Sequence, residues 1–93
     1  MSISIHIPTP LRPYTGGQST VQVAAETVGD ALASLTTEHP DLARHLRDDQ
    51  GRIRSFVNVY LGDEDIRFQQ GEATPVTPGA ELTIVPSIAG GVA

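Results

Sequence analysis

The sequence predicts an α+β domain: a mixed sheet with one main helix lying across one face. Three observations carry that prediction. Apolar residues alternate with period two near both ends of the chain, a segment of helical periodicity lies between them, and proline or glycine punctuates the junctions. The 93 residues suit one small domain. Its expected extent is residues 1–86, with residues 87–93 as a flexible C-terminal tail.

The elements follow in order. Ile3, Ile5 and Ile7 alternate with Ser4 and His6, as in a strand with one face buried, and Pro8 and Pro10 close it. The stretch from Leu11 through Gly16-Gly17-Gln18 reads as a long hairpin connection, after which Thr20-Val21-Gln22-Val23 resumes the alternation. Thr27 with Asp30 three residues on marks a helix N-cap, and Val28, Ala31, Leu32 and Leu35 share one helical face. Pro40 ends that helix, and Asp41 is placed to cap a short turn carrying Leu42 and Leu46. Phe56-Val57-Asn58-Val59-Tyr60-Leu61 is a β-branched and aromatic strand ended by Gly62-Asp63. Asp63-Glu64-Asp65 reads as a solvated turn, and Ile66 with Phe68 as a short edge piece. Thr77-Pro78-Gly79-Ala80 turns the chain into a last strand, Glu81-Leu82-Thr83-Ile84-Val85, closed by Pro86. Strand, strand, helix, strand, short strand, strand is the element order of the β-grasp fold.

Composition narrows the chemistry. Net charge is −5, and no basic stripe is interleaved with aromatics, which argues against nucleic-acid binding and suits a basic protein partner. The sequence has no cysteine, so it supplies neither a thiolate ligand nor a sulfur nucleophile. His6, His39 and His45 show no ligand spacing, and no metal site is expected. Asp63-Glu64-Asp65 lacks the rest of a calcium loop. Ser87 has no nucleophile elbow around it, and Gly16-Gly17 lacks the lysine of a phosphate loop. No signal segment or membrane-length apolar run is seen, so no membrane association and a cytoplasmic location are expected. All six basic residues are arginines. Without a side-chain amine the chain cannot build isopeptide-linked chains of itself.

The C-terminal Gly90-Gly91-Val92-Ala93 is the feature that points furthest. Two residues without Cβ atoms can be drawn extended into a narrow slot, offering a carboxyl group to a reagent. Pro78-Gly79 followed by an alternating strand, Pro86, and then Ser87-Ile88-Ala89-Gly90-Gly91 resembles the C-terminal motif of the ubiquitin-like sulfur carrier family typified by MoaD and ThiS. The segments Ile5–Gln18, Arg54–Tyr60 and Asp63–Phe68 are most similar to the CysO branch of that family, which carries sulfide for cysteine biosynthesis.

The resemblance implies a carrier acted upon by others, not an enzyme, with no bound cofactor. A ubiquitin-activating-type enzyme would adenylate Gly91, and a sulfur donor would convert the adenylate to a thiocarboxylate. Ala89 and Gly90 would thread the partner's channel. The CysO likeness further implies delivery to a pyridoxal-phosphate cysteine synthase, and a JAMM-type zinc protease. That protease would release cysteine from its carrier adduct, and a protease of the same type would remove Val92 and Ala93 beforehand. If Val57, Val59 and Leu61 meet the helix, Phe56 and Tyr60 lie on the outer face, a candidate docking patch with Phe68 and Ile88 as neighbours. The same aromatics also serve simply to cover the sheet. Other readings are the small subunit of a molybdopterin synthase, a carrier for thiamine or a secondary metabolite, a protein modifier, and a noncovalent binding module.

Overall fold

The computed structural model describes residues 2–54 and 57–86. Five strands form one mixed sheet: β1 (Ser2–His6), β2 (Thr20–Ala24), β3 (Val57–Leu61), β4 (Glu64–Asp65) and β5 (Glu81–Pro86), in the spatial order β2-β1-β5-β3-β4. β5 is therefore central. It runs parallel to β1, with Ser4 opposite Glu81 and His6 opposite Thr83, and antiparallel to β3, with Leu61 opposite Leu82 and Val57 opposite Pro86.

The alternation seen in the sequence decides which face is buried. Ile3, Ile5, Val21, Val23, Val57, Val59, Leu82 and Ile84 all point into the core, as does Ile7 just beyond β1. Helix α1 (Val28–Glu38) closes that face with Val28, Ala31, Leu32 and Leu35, all buried. Its N-terminus is capped as the sequence predicts, with Thr27 Oγ1 accepting from the Asp30 amide at 3.1 Å. Helix α2 (Pro40–Leu46) adds Leu42 and Leu46 to the core. Pro40 opens this helix after His39, and Asp41 lies within the first turn instead of capping it. Proline is favoured there, since the amide it lacks would have no helical partner.

One further expectation is refined and two are corrected. The connection between β1 and β2 does join the antiparallel hairpin that the sequence predicts, but most of it is a 3-10 segment, Thr9–Thr15, held because Leu11 and Thr15 are buried. The Thr15 hydroxyl donates to Arg12 O and lies 2.9 Å from Gln18 O, so its burial leaves no polar atom stranded. The expected edge piece Ile66–Phe68 is a 3-10 turn, and the edge strand is Glu64–Asp65. Asp63-Glu64-Asp65 is not wholly a solvated turn: Gly62, at φ +63°, turns the hairpin and Asp65 is only 7% exposed. The Asp65 carboxylate accepts from the Arg67 amide at 2.8 Å and from Arg67 Nη2 at 3.0 Å, a local bonding that bends the chain out of the sheet.

Candidate functional site

β5 begins in a fully bonded turn. Gly79 stands at φ +83° after Pro78, and the Ala80 amide donates to Thr77 O at 3.0 Å, the pattern of a Pro-Gly type II turn. The Gly79 amide donates to Ser2 O and the Ser4 amide to Ala80 O, both at 3.0 Å. These bonds fix where the strand starts against β1 and hence the line along which it leaves.

The far end of β5 is different. Ile84, Val85 and Pro86 have register partners on β3, but β1 ends at His6, opposite Thr83. Pro8 then leads into the 3-10 segment, and an open groove of about 460 Å³ lies where a further β1 pairing would have been. It is lined by Pro8, Pro10, Arg12, Val85 and Pro86, among others. Arg12 is half-buried there, with Nε donating to Ile7 O at 3.1 Å. Val85 is 40% exposed. An apolar groove with one fixed guanidinium thus flanks the C-terminal end of β5.

The outer face of the sheet is polar beside β1 and β2. Ser2 and Ser4 both bond to Gln22, and His6 Nε2 lies 2.7 Å from Glu81 Oε1. Beside β3 the Arg67 guanidinium bonds both Asp65 and the Asn58 side chain. The Arg67 side-chain bond, followed by that of its amide, holds the Asp65 carboxyl below its ordinary value.

Of the four sequence-predicted docking residues, Tyr60 and Phe68 lie within the described part. Tyr60 is half-buried on β3, between Thr83 and Asp65 in register, and is an electrostatic neighbour of the Arg67 guanidinium. Phe68 ends the 3-10 turn after β4 and is 83% exposed. Val57 and Val59 face the core and Leu61 packs against it, as expected. Phe56 and Ile88 lie outside the described residues, as do Ala89, Gly90, Gly91, Val92 and Ala93. Arg12 and the Asn58–Arg67–Asp65 cluster were not anticipated. Asp65 two residues before Arg67 carries the signal of a side-chain-bonded turn. Arg12 between Pro10 and Pro13 gave no comparable one.

Among the described residues there is no group of three or more histidines or carboxylates able to hold a metal, and no helix long and apolar enough to cross a membrane.

The family model described as the ThiS family matches residues 5–91. The chain belongs to the ThiS family. It is 40% identical over 93 residues to "Sulfur carrier protein CysO" of Mycobacterium tuberculosis, covering 98% of this chain and all of the relative. The crystal structure of that CysO matches with a TM-score of 0.84 at 38% identity, over 92% of this chain and 99% of the other. A chain from the Amycolatopsis orientalis BexX/CysO complex matches with a TM-score of 0.86 at 36% identity, over 96% and 99%. "Small archaeal modifier protein 3" of Haloferax volcanii is 37% identical over 65 residues, 70% of either chain. The fold is thus that of the ubiquitin-like β-grasp proteins, and these relatives are small carriers and modifiers, not enzymes.

Proposed function

We propose that this chain is a sulfur carrier whose reactive group is the Gly91 carboxylate, exposed by cleavage of the Gly91–Val92 bond and converted to a thiocarboxylate. The observation that carries the reading is that the family match runs through Gly91 and ends there, five residues beyond Pro86 and the central strand. A carboxylate is a poor electrophile. Its oxygen attacks the α-phosphorus of ATP, pyrophosphate leaves, and the acyl adenylate then carries a good leaving group. A sulfur nucleophile adds at the Gly91 carbonyl carbon, AMP departs with the C–O bonding pair, and the thiocarboxylate remains.

The chain has no cysteine of its own, so both the sulfur and the machinery come from partners. A ubiquitin-activating-type enzyme supplies positioning and charge stabilisation, as a protein does for a bound cofactor. Ala89 and Gly90 thread its channel, where a side chain at Gly90 or Gly91 would clash. Docking falls to the patch of Phe56 and Tyr60, with Phe68 and Ile88 as neighbours. The 40% identity to CysO over nearly the whole chain supports a cysteine-forming route, with a pyridoxal-phosphate cysteine synthase as acceptor and a JAMM-type zinc protease for processing and release. No cofactor is bound by the carrier itself in this reading, and its place of work is the cytoplasm.

Intact-protein mass spectrometry of the chain taken from its own cells, without reductant, tests this. A chain ending at Gly91 with one oxygen replaced by sulfur is the expected species. An unmodified chain retaining Val92 in cells actively assimilating sulfur would overturn the proposal. The likeness to a small archaeal modifier protein favours one second reading, in which Gly91 ends in an isopeptide bond to a target lysine. Conjugates of increased mass would be its mark.

A further inference from the structure

The two edges of the sheet are finished differently. At one edge, β4 has only two residues, both acidic, and the Asp65–Arg67 turn bends the chain away directly after it. A short, charged edge strand discourages another strand from pairing with it. At the other edge, β2 runs five residues without a charge, a proline or a break in its register with β1. Val21 and Val23 are buried on the core face, which locks that register, since a one-residue slip would turn both valines outward.

The ladder decides which backbone groups of β2 are unpaired. The Ile7 amide donates to Ser19 O at 2.8 Å, while the Ser4 amide turns the other way, to Ala80 O. Ladder bonds in an antiparallel pair fall on alternate residues. The backbone groups of Ser19, Val21 and Val23 therefore face β1, and those of Thr20, Gln22 and Ala24 face outward. Among the described residues, nothing bonds the amides and carbonyls of these three.

Beside this edge, a second open groove of about 450 Å³ lies between the end of β2 and α1. Ala24, Ala25, Ala33 and Ser34 line it with small side chains that leave room, and Glu26 and Asp30 stand exposed along it. Neither carboxylate is in an ion pair among the described residues. We infer that the β2 edge receives an antiparallel strand from a partner protein, with small aliphatic side chains toward α1 and a cation beside Glu26 and Asp30. Thr20, Gln22 and Ala24 then each exchange an N–H and a C=O bond with the residue opposite. Residues opposite Val21, Val23 and Ala25 share the α1 side of the sheet. Because the incoming strand runs against β2, its N-terminal end lies at Ala25, and its cation belongs there. The net charge of −5 favours such a strand over a second copy of this chain, whose acids would repel. Two strands separate β2 from β3, so the occupant leaves the Tyr60 side of the sheet open.

The test is an amide-resolved NMR titration of the isotope-labelled full chain with a blocked synthetic peptide, Arg-Thr-Val-Thr-Val-Thr. Saturable shifts of the Thr20, Gln22 and Ala24 amides are expected, with those of Val57–Leu61 unmoved. Glutamate in place of the peptide's arginine should weaken binding by about three- to fivefold, as should Glu26→Gln combined with Asp30→Asn, and high salt should shrink both differences. N-methylation of the peptide's middle threonine, whose amide points at β2, should abolish binding, whereas N-methylation of its first valine, whose amide points away, should not. Gln22→Pro should block the edge from the protein's side, and its lost N–H faces outward, so the β1–β2 ladder stays whole. The methylated peptides use the wild-type chain and decide the matter even if that variant misfolds. Equal binding of the two methylated peptides, shifts centred elsewhere, or no saturable shift at millimolar peptide would overturn the inference. Movement of the same three amides on concentrating the chain alone would also overturn it, by putting a second copy on the edge. No chemistry at Gly91 takes part, so each outcome leaves the carrier reading untouched.

Discussion

The two ends of β5 differ in what holds them. At its start, the Pro78-Gly79 turn bonds to β1 through Ser2 and Ser4, and Leu82 is fully buried between β1 and β3. At its exit, β1 has already turned away, Pro86 contributes no amide, and the strand is flanked on one side by β3 and on the other by the Arg12 groove. The start is bonded to strands on both sides and the end to one alone. One strand thus anchors the fold at its start and borders an open groove at its end.

A pair of substitutions should separate these roles most widely. Gly91→Val is expected to lower thiocarboxylate formation by about a hundredfold or more, since a small misplacement at a reacting centre has that scale of effect. Its unfolding free energy should stay within about 0.5 kcal/mol of wild type, as for substitutions outside the core. Leu82→Ala should do the reverse. Removing a fully buried leucine costs about 2–5 kcal/mol, read as a lower urea midpoint, while the folded fraction remains a competent substrate for activation. A Gly91→Val protein with a markedly lower midpoint would show that the terminal segment belongs to the packed domain, and the contrast between the two ends would fail.

A smaller effect is expected at the turn that starts β5. Gly79 is held at φ +83° and has open space where a Cβ would sit. Gly79→Ala therefore meets no clash and suffers only the backbone penalty of a left-handed residue, about 1–2 kcal/mol. Thermal denaturation reads this directly. A neutral outcome would mean that the turn relaxes into another type, and that the β1–β5 bonds alone set the strand's start.

Much of this contrast was legible in the sequence. Period-two alternation in Ile3-Ser4-Ile5-His6-Ile7 and in Leu82-Thr83-Ile84 identified the two parallel strands, and Thr27 with Asp30 located the helix start, because each signal is local. The exit groove was not legible. It exists because β1 stops three register positions short of the end of β5, a fact about pairing between strands almost eighty residues apart. The 3-10 form of Thr9–Thr15 escaped for a related reason: the burial of Leu11 and Thr15 against the rest of the core decides it, and turn-forming residues alone do not. The Gly91 chemistry rested on a family motif, and no arrangement of the described residues could have replaced it.

The smallest predicted effect concerns the β3–β4 side of the sheet. Asn58 stands opposite Val85 in register, and its side chain bonds Arg67, which in turn holds Asp65. The Arg67 side-chain hydrogen bond, then that of its amide, lowers the Asp65 pKa below the ordinary 3.8. A depressed carboxylate contributes stability that is fully present above the ordinary value and is lost as pH falls through the lowered one. Acid should therefore weaken the β3–β4 side below 3.8 and not above it. Asp48, lowered chiefly by the Arg52 amide and then that of Gln50, adds a second slope in the same direction from the turn after α2. Asp65→Asn should remove the first slope and leave the second, measured as urea midpoints from neutral pH downward. Hydrogen exchange should show the Val57–Leu61 amides losing protection before those of Ser2–His6. Equal loss on both strands would mean that the β3–β4 side does not open independently, and that the two sides of β5 respond to acid as one unit.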